Sequence, residues 1–327
     1  MFLQAVKDGI FKALRTALML FRIMIPISLG ITLLRHTDFF MWLAEKIEPA
    51  MRIFGLPGEA VVPIVVGAFS DEYAVVAAMN GFPFDMAQIT IIAMITLAFH
   101  ALPIETVISR KIGMPAFRIG VFRLGLAIFT GIVVALLGAA FLGGNMPGQT
   151  PVGFDGIGVP AVQSTGIFDA GPEVILPQMG LGVVRMILIV LRVLIPLMVG
   201  IELMMVYNII EAMAEKMGFF RRLLGIGKDA LLPLLIGLLL GVTFGAGAIM
   251  ELSRERPLPK RDLALVAVFI FACHGLIEGA YLLTLAGGNL FILIFVRLGI
   301  AVGVTAAAAH TVLRPKSGQK SYKNLQI

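Results

Sequence analysis

Long apolar runs alternate along this chain with short stretches in which apolar and charged residues interleave. Residues 13–34 predict one long helix, and 38–54 mixes the two residue classes as a helix lying at an interface does. An apolar but interrupted segment follows at 58–80, then two further long helices at 86–108 and 116–142. The same series recurs as a helix at 181–207, a mixed stretch at 209–223, an interrupted segment at 229–250 and helices at 263–286 and 289–312. Between the two series, 143–180 is rich in Gly and Pro and shows no helical period, which predicts a linker.

The recurrence is a duplication. At an offset of 170, Arg22 meets Arg192, Pro26 meets Pro196, Gly30 meets Gly200, Pro63 meets Pro233 and Gly67 meets Gly237. Ala44-Glu45-Lys46 likewise meets Ala214-Glu215-Lys216. After a small drift His100 meets His274, Glu105 meets Glu278, and Arg123-Leu124-Gly125 meets Arg297-Leu298-Gly299. Leucines recur by chance in apolar sequence, whereas prolines, histidines and charges inside it do not.

Composition sets the solvent. With 59% hydrophobic and 14% charged residues and a mean hydropathy of +0.97, the chain falls outside the soluble globular range. Its apolar runs are long enough to cross hydrocarbon, so an integral membrane protein is expected. The net charge of +6 then marks cytoplasmic loops rather than a nucleic-acid partner. A single cysteine, Cys273, excludes an internal disulfide. HExxH, GxSxG and GxxxxGK[ST] are all missing, and no enzymatic activity is expected.

Charge also orders the topology. If each interrupted segment crosses, the halves are parallel, and the basic loop 251–262 (Arg254, Arg256, Lys260, Arg261) falls on the same side as the linker 143–180, which has no Lys or Arg. If each is a re-entrant hairpin, the second half is inverted. Lys7, Lys12, Arg15, Arg110, Lys111, Arg118, the loop 251–262 and the tail Arg314, Lys316, Lys320, Lys323 then all lie inside. The positive-inside rule favours inversion. Length agrees: Glu59 to Ala68 is ten residues, about 15 Å of helix, roughly half a ~30 Å hydrocarbon layer.

Backbone that leaves a helix at membrane depth has unpaired N–H and C=O groups and belongs where it lines a polar site. The first tip contains Ser70, Asp71 and Glu72, and the second contains Thr243 and Gly245. Ser70 reads as a helix cap with the two acids in the first turn. Capping needs only one such group, so the acids point to solute or cation contact. His100 and Glu105 flank Pro103, which should kink its helix, while His274 and Glu278, four apart, would share a helical face. These residues read as a proton or cation relay, with buried pairs that lock each half as the competing reading. Cys273, His274 and Glu278 offer an alternative metal-ligand set. Arg22 and Arg192 read as structural, with Glu202 a candidate partner, and Arg123 as an arginine that snorkels.

The repeated order of helix, interfacial helix, hairpin, broken helix and helix, with the phrase FGLPGEAVVPIVVG at 54–67, resembles the nucleoside-recognition (Gate) superfamily. That group includes concentrative nucleoside transporters, the membrane part of bacterial ferrous iron transporter B, and spore maturation proteins A and B. The resemblance implies that hairpin tips and unwound helices hold a ligand. Carried over, the substrate-binding set is Ser70, Asp71, Glu72, His100, Glu105, Thr243, Gly245, His274 and Glu278.

The expected fold is therefore an all-α integral membrane protein of two inverted repeats. Each repeat has three transmembrane helices, an interfacial helix and a re-entrant hairpin. The repeats occupy 1–142 and 181–313, joined by the extracytoplasmic linker 143–180 and followed by a basic cytoplasmic tail at 314–327. The expected role is transport of a small polar solute, nucleoside-like, coupled to H⁺ or Na⁺, with no cofactor beyond that cation. Alternatives are a divalent-metal permease and a non-transporting assembly partner. The expected location is a prokaryotic cell membrane with both termini cytoplasmic, surrounded by lipid and possible as a homo-oligomer.

Overall fold

The computed structural model of the chain describes residues 1–34, 37–79, 82–141, 172–242, 245–247, 249–250 and 258–311. Among these, every regular element is helical. Thr243, residues 143–171 of the linker, Arg254, Arg256 and the tail 314–327 lie outside the described residues.

The first series consists of α1 (Phe2–Leu34), α2 (Asp38–Met51), the short pair α3 (Val61–Phe69) and α4 (Glu72–Met79), then α5 (Met86–Phe99), α6 (Leu102–Lys111) and α7 (Ala116–Phe141). The second consists of α8 (Pro172–Val206), α9 (Ile209–Lys216), α10 (Gly218–Leu224), α11 (Leu231–Leu240), α12 (Lys260–Ala272) and α13 (Leu276–Leu285). A π-helical turn, Ile292–Val296, then leads into α14 (Arg297–His310). Sequence-based boundaries change at several places: α1 begins at Phe2 rather than at 13, and the predicted helices 86–108 and 263–286 are each two helices. Helix α8 begins at Pro172, inside the stretch predicted as linker, and the mixed stretch 209–223 is two helices parted at Met217.

Among the described residues, four helical stretches are long and apolar enough to cross a membrane: Met86–Lys111, Ala116–Gly138, Lys260–Leu285 and Ile292–His310. The number rises to seven if each sharply bent pair is one span. The bends are large. Trp42–Phe54 turns by 89° into Gly58–Phe69, and Gly218–Leu224 turns by 99° into Lys228–Leu240.

Helices α5 and α12 form the centre, with Ile91, Ile92, Leu97, Phe269 and Phe271 fully buried. Helix α7 lies outside them and is amphipathic in the sense a lipid solvent imposes. Phe117, Val121, Leu124 and Ile128 face outward at helical spacing, while Arg123, Ala127, Thr130 and Val134 face the protein.

Local chemistry explains the breaks. An Asp85–Gln88 capping box starts α5: Gln88 N–H donates to Asp85 Oδ1 at 2.8 Å and Asp85 N–H donates to Gln88 Oε1 at 3.0 Å. The helix ends at Phe99, and Ala101 adopts a left-handed conformation (φ 49°) before α6 begins. Pro103 is thus not itself the kink. It sits in the first turn of α6, where its missing N–H costs nothing, and its ring forbids continuation of α5 through the Phe99 carbonyl. In the second series Gly275 (φ 53°) takes the place of Ala101. Because this left-handed residue lies between them, His274 and Glu278 do not share one helical face as their spacing suggested.

Candidate functional site

The breaks meet the hairpins through backbone. The last carbonyls of a helix have no partner within it, and at the end of α3 that need is met from outside. Ala101 N–H donates to Gly67 O at 2.9 Å and to Ser70 O at 2.8 Å. Across the molecule Gly275 N–H donates to Gly237 O, near the end of α11, at 3.3 Å. Gly67 and Gly237 are a repeat pair, so the same crossing of short arm and broken helix occurs twice.

The first tip is arranged differently from its sequence reading. Ser70 ends α3 in an extended conformation, and Asp71 is the residue that caps α4, accepting from Ala74 N–H at 2.9 Å. Glu72 has no part in the cap and turns toward His100, with Oε2 3.5 Å from Nε2. Tyr73, the next residue, donates its hydroxyl to Glu278 Oε1 at 2.6 Å, bridging the two halves.

The two histidines project from the breaks and meet. His100 Nε2 and His274 Nε2 are 3.2 Å apart although 174 residues separate them in sequence. Glu105 Oε1 lies 3.5 Å from the first and 3.2 Å from the second. All three side chains are buried, at 3–6% exposure. Each imidazole has its other nitrogen on a helix-end carbonyl: Nδ1 of His100 on Thr96 O at 3.2 Å, and Nδ1 of His274 on Ile270 O at 2.9 Å.

Two buried arginines support this centre. Arg123 does not snorkel. It is 1% exposed, donates from Nε to Ala98 O at 3.0 Å and from Nη2 to His100 O at 2.8 Å, and sets Nη1 2.7 Å from Glu105 Oε2. The last contact is an ion pair outside hydrogen-bond alignment. A guanidinium at the carbonyl end of α5 also complements the helix dipole. Its repeat partner Arg297 donates Nη2 to His274 O at 2.8 Å, but among the described residues its Nε and Nη1 have no hydrogen-bond partner and no carboxylate pairs with it.

The second acid has gone elsewhere. Glu105 faces Arg123 and both imidazoles, whereas Glu278 is taken by Tyr73. Only three His, Cys, Asp or Glu side chains among the described residues converge closely enough to share an ion, and they are His100, Glu105 and His274. The alternative set of Cys273, His274 and Glu278 is not assembled. Cys273 is fully buried at the end of α12, with its backbone extended. Gly245 packs against Gly237, where an added Cβ would come within 2.7 Å of the Gly237 Cα, so it supports the second arm's crossing.

Other readings change as well. Arg22 and Arg192 are exposed, and Glu202 pairs with Lys12 at 2.5 Å rather than with either arginine. Sequence reasoning missed Tyr73 and undervalued Arg123 and Arg297. The repeated Arg-Leu-Gly triplet was the signal for the two arginines, whereas nothing in the sequence marked Tyr73.

Residues 17–117, which span the first hairpin and the first broken helix, match a family profile described as Gate, nucleoside recognition. An uncharacterized membrane protein of Bacillus subtilis (strain 168), YvoD, is 31% identical over 307 residues, covering 93% of each chain. The chain belongs to the Gate family of membrane proteins. That family is associated with transport rather than catalysis. No solved structure matches the chain. Within the Gate profile's stretch lie Ser70, Asp71, Glu72, His100 and Glu105; His274, which completes the centre, and Glu278 lie outside it.

Proposed function

We propose that this Gate protein is a transporter for a small polar solute, nucleoside-like in its hydrogen-bonding character, driven by H⁺ or Na⁺. The observation that carries the reading is the convergence of side chains from both halves at three helix breaks. Tyr73 reaches Glu278, His100 reaches His274, and His274 reaches Glu105. Ionisable groups are costly inside a bilayer and mark pathways there. Transporters place solute sites where discontinuous helices of two repeats meet near the midplane. Ser70, Asp71, Glu72 and Glu278 are half-buried, while His100, Glu105 and His274 are buried.

The proposal includes the inverted topology. The near-right-angle turns before α3 and α11 suit interfacial helices leading into re-entrant arms, and α3, nine residues long, reaches only about 14 Å. Both termini and the loop 251–262 then face the cytoplasm of a prokaryotic cell.

Proteoliposomes test the reading directly. Labelled nucleosides and nucleobases should accumulate under an imposed H⁺ or Na⁺ gradient, and Glu72→Gln with Glu278→Gln should abolish accumulation while leaving the protein monodisperse. A well-folded preparation that moves none of these compounds under either gradient would refute the solute class. For topology, Cys273→Ser removes the lone thiol, and a new cysteine at Arg256 should label only from the cytoplasmic side. Labelling from outside alone would overturn the inverted arrangement.

A further inference from the structure

We propose that His100 Nε2, His274 Nε2 and Glu105 Oε1 bind one divalent transition-metal ion of the Zn²⁺ class, with a fourth position left open toward Glu72. The first support is metric. The three atoms are 3.2, 3.2 and 3.5 Å apart. Bonds of ~2.0–2.1 Å in a tetrahedral site set ligand atoms ~3.3–3.4 Å apart, so one ion fits the triangle without rearrangement.

The second support is the direction of the lone pairs. A backbone carbonyl only accepts, so each Nδ1 bonded to Thr96 O or Ile270 O carries the proton. Each neutral imidazole then turns an unprotonated Nε2 into the centre. Two nitrogen lone pairs and a carboxylate oxygen meet there at 3.2–3.5 Å, an arrangement that repels itself until a cation enters.

The surroundings match a metal centre. Ligating histidines typically donate their second nitrogen to a carbonyl, and ligating carboxylates are themselves held. Here both imidazoles are anchored that way, and Arg123 holds Glu105 by Oε2, leaving Oε1 for the ion. Two imidazoles with one carboxylate suit Zn²⁺, Co²⁺, Ni²⁺ or Fe²⁺, not Mg²⁺ or Ca²⁺. The ligands come from both halves, so the site exists only once the halves are packed together.

Metal binding is read at equilibrium in detergent, so its outcome is separate from the success or failure of nucleoside transport. Full-length protein, stripped with chelator, is titrated with Co²⁺ alone and then with Zn²⁺. The expected result is one Co²⁺ per chain, with the visible absorption of a low-coordinate nitrogen–oxygen site. Zn²⁺ should displace it and Mg²⁺ should not. His100→Gln, His274→Gln and Glu105→Gln should each weaken binding by about a hundredfold or more, beyond what loss of a supporting contact costs. Cys273→Ser and His310→Gln should bind as the unaltered chain does. X-ray absorption of the Zn²⁺-loaded wild type should show two imidazoles, which decides the ligand set even where a variant does not fold. Monodisperse wild type that binds neither ion at about 10 μM overturns the proposal and leaves a protonated histidine as the cation. Zn²⁺ scattering with fewer than two imidazoles, or unaltered binding in the His100→Gln/His274→Gln double variant, overturns it equally.

Discussion

Arg123 and Arg297 occupy equivalent places in the repeat, yet removing them should have unequal effects on stability. In Arg123→Met the Glu105 carboxylate stays buried without its ion-pair partner, and the Ala98 and His100 carbonyls lose their donors. Breaking a buried pair from one side costs about 3–5 kcal/mol, and each orphaned carbonyl adds about 1–3 kcal/mol with incomplete additivity. A loss of at least about 4 kcal/mol is therefore expected. In Arg297→Met only the bond to His274 O disappears, worth about 1–3 kcal/mol. Against it stands the relief of a guanidinium that, among the described residues, is buried without a carboxylate and has Nε and Nη1 unpartnered, a penalty on the order of several kcal/mol. The two nearly cancel, for a net change within about 2 kcal/mol of zero. Methionine fills most of the arginine stem's volume, so cavity formation contributes little to either variant. The assay is reversible unfolding of purified protein in mixed micelles with chelator present, comparing both variants with wild type. Equal losses, or a larger loss for Arg297→Met, would refute the account of which arginine is paired.

Gly245→Ala should lower stability by about 1–3 kcal/mol, because its Cβ meets the Gly237 backbone; Gly247→Ala, facing open space, should stay within about 0.5 kcal/mol on the same unfolding assay. Asp262→Ala leaves the Gly227 N–H without its 2.9 Å acceptor, for an expected loss of about 1–3 kcal/mol that Asp262→Asn partly restores. Tyr73→Phe removes the charge-assisted bond to Glu278, about 1.5–3 kcal/mol, and should alter solute or ion dependence of uptake while Cys273→Ser does not. Lys12→Ala breaks an ion pair whose lysine is half-exposed, so a change beyond about 1 kcal/mol would contradict its peripheral role.

Much of the architecture was written in local sequence. Apolar runs of membrane-spanning length need no tertiary information to be read, because lipid requires each span to satisfy its own backbone hydrogen bonds. The repeat also identified Gly67 with Gly237 and His100 with His274, and these pairs do occupy equivalent crossings. Local reasoning failed wherever a partner came from elsewhere in the fold. Ser70 looked like the cap, but Asp71 fills that role and frees Glu72 for His100. Pro103 marked the broken helix correctly but not the break, which falls where Ala101 can bond the hairpin.

The sequence by itself determined an all-helical membrane protein, duplicated, with its polar residues concentrated at interruptions of apolar helices. Only the tertiary structure decided which polar groups share a centre. Spacing proposed His274 with Glu278 and a nearby Cys273, whereas the left-handed turn at Gly275 swings His274 toward His100 and Glu105 and leaves Glu278 to Tyr73. Covalent neighbours constrain a side chain's direction only within one unbroken helix. At a break the direction is set by whichever distant carbonyl, carboxylate or guanidinium satisfies the exposed backbone, and that partner is chosen by packing.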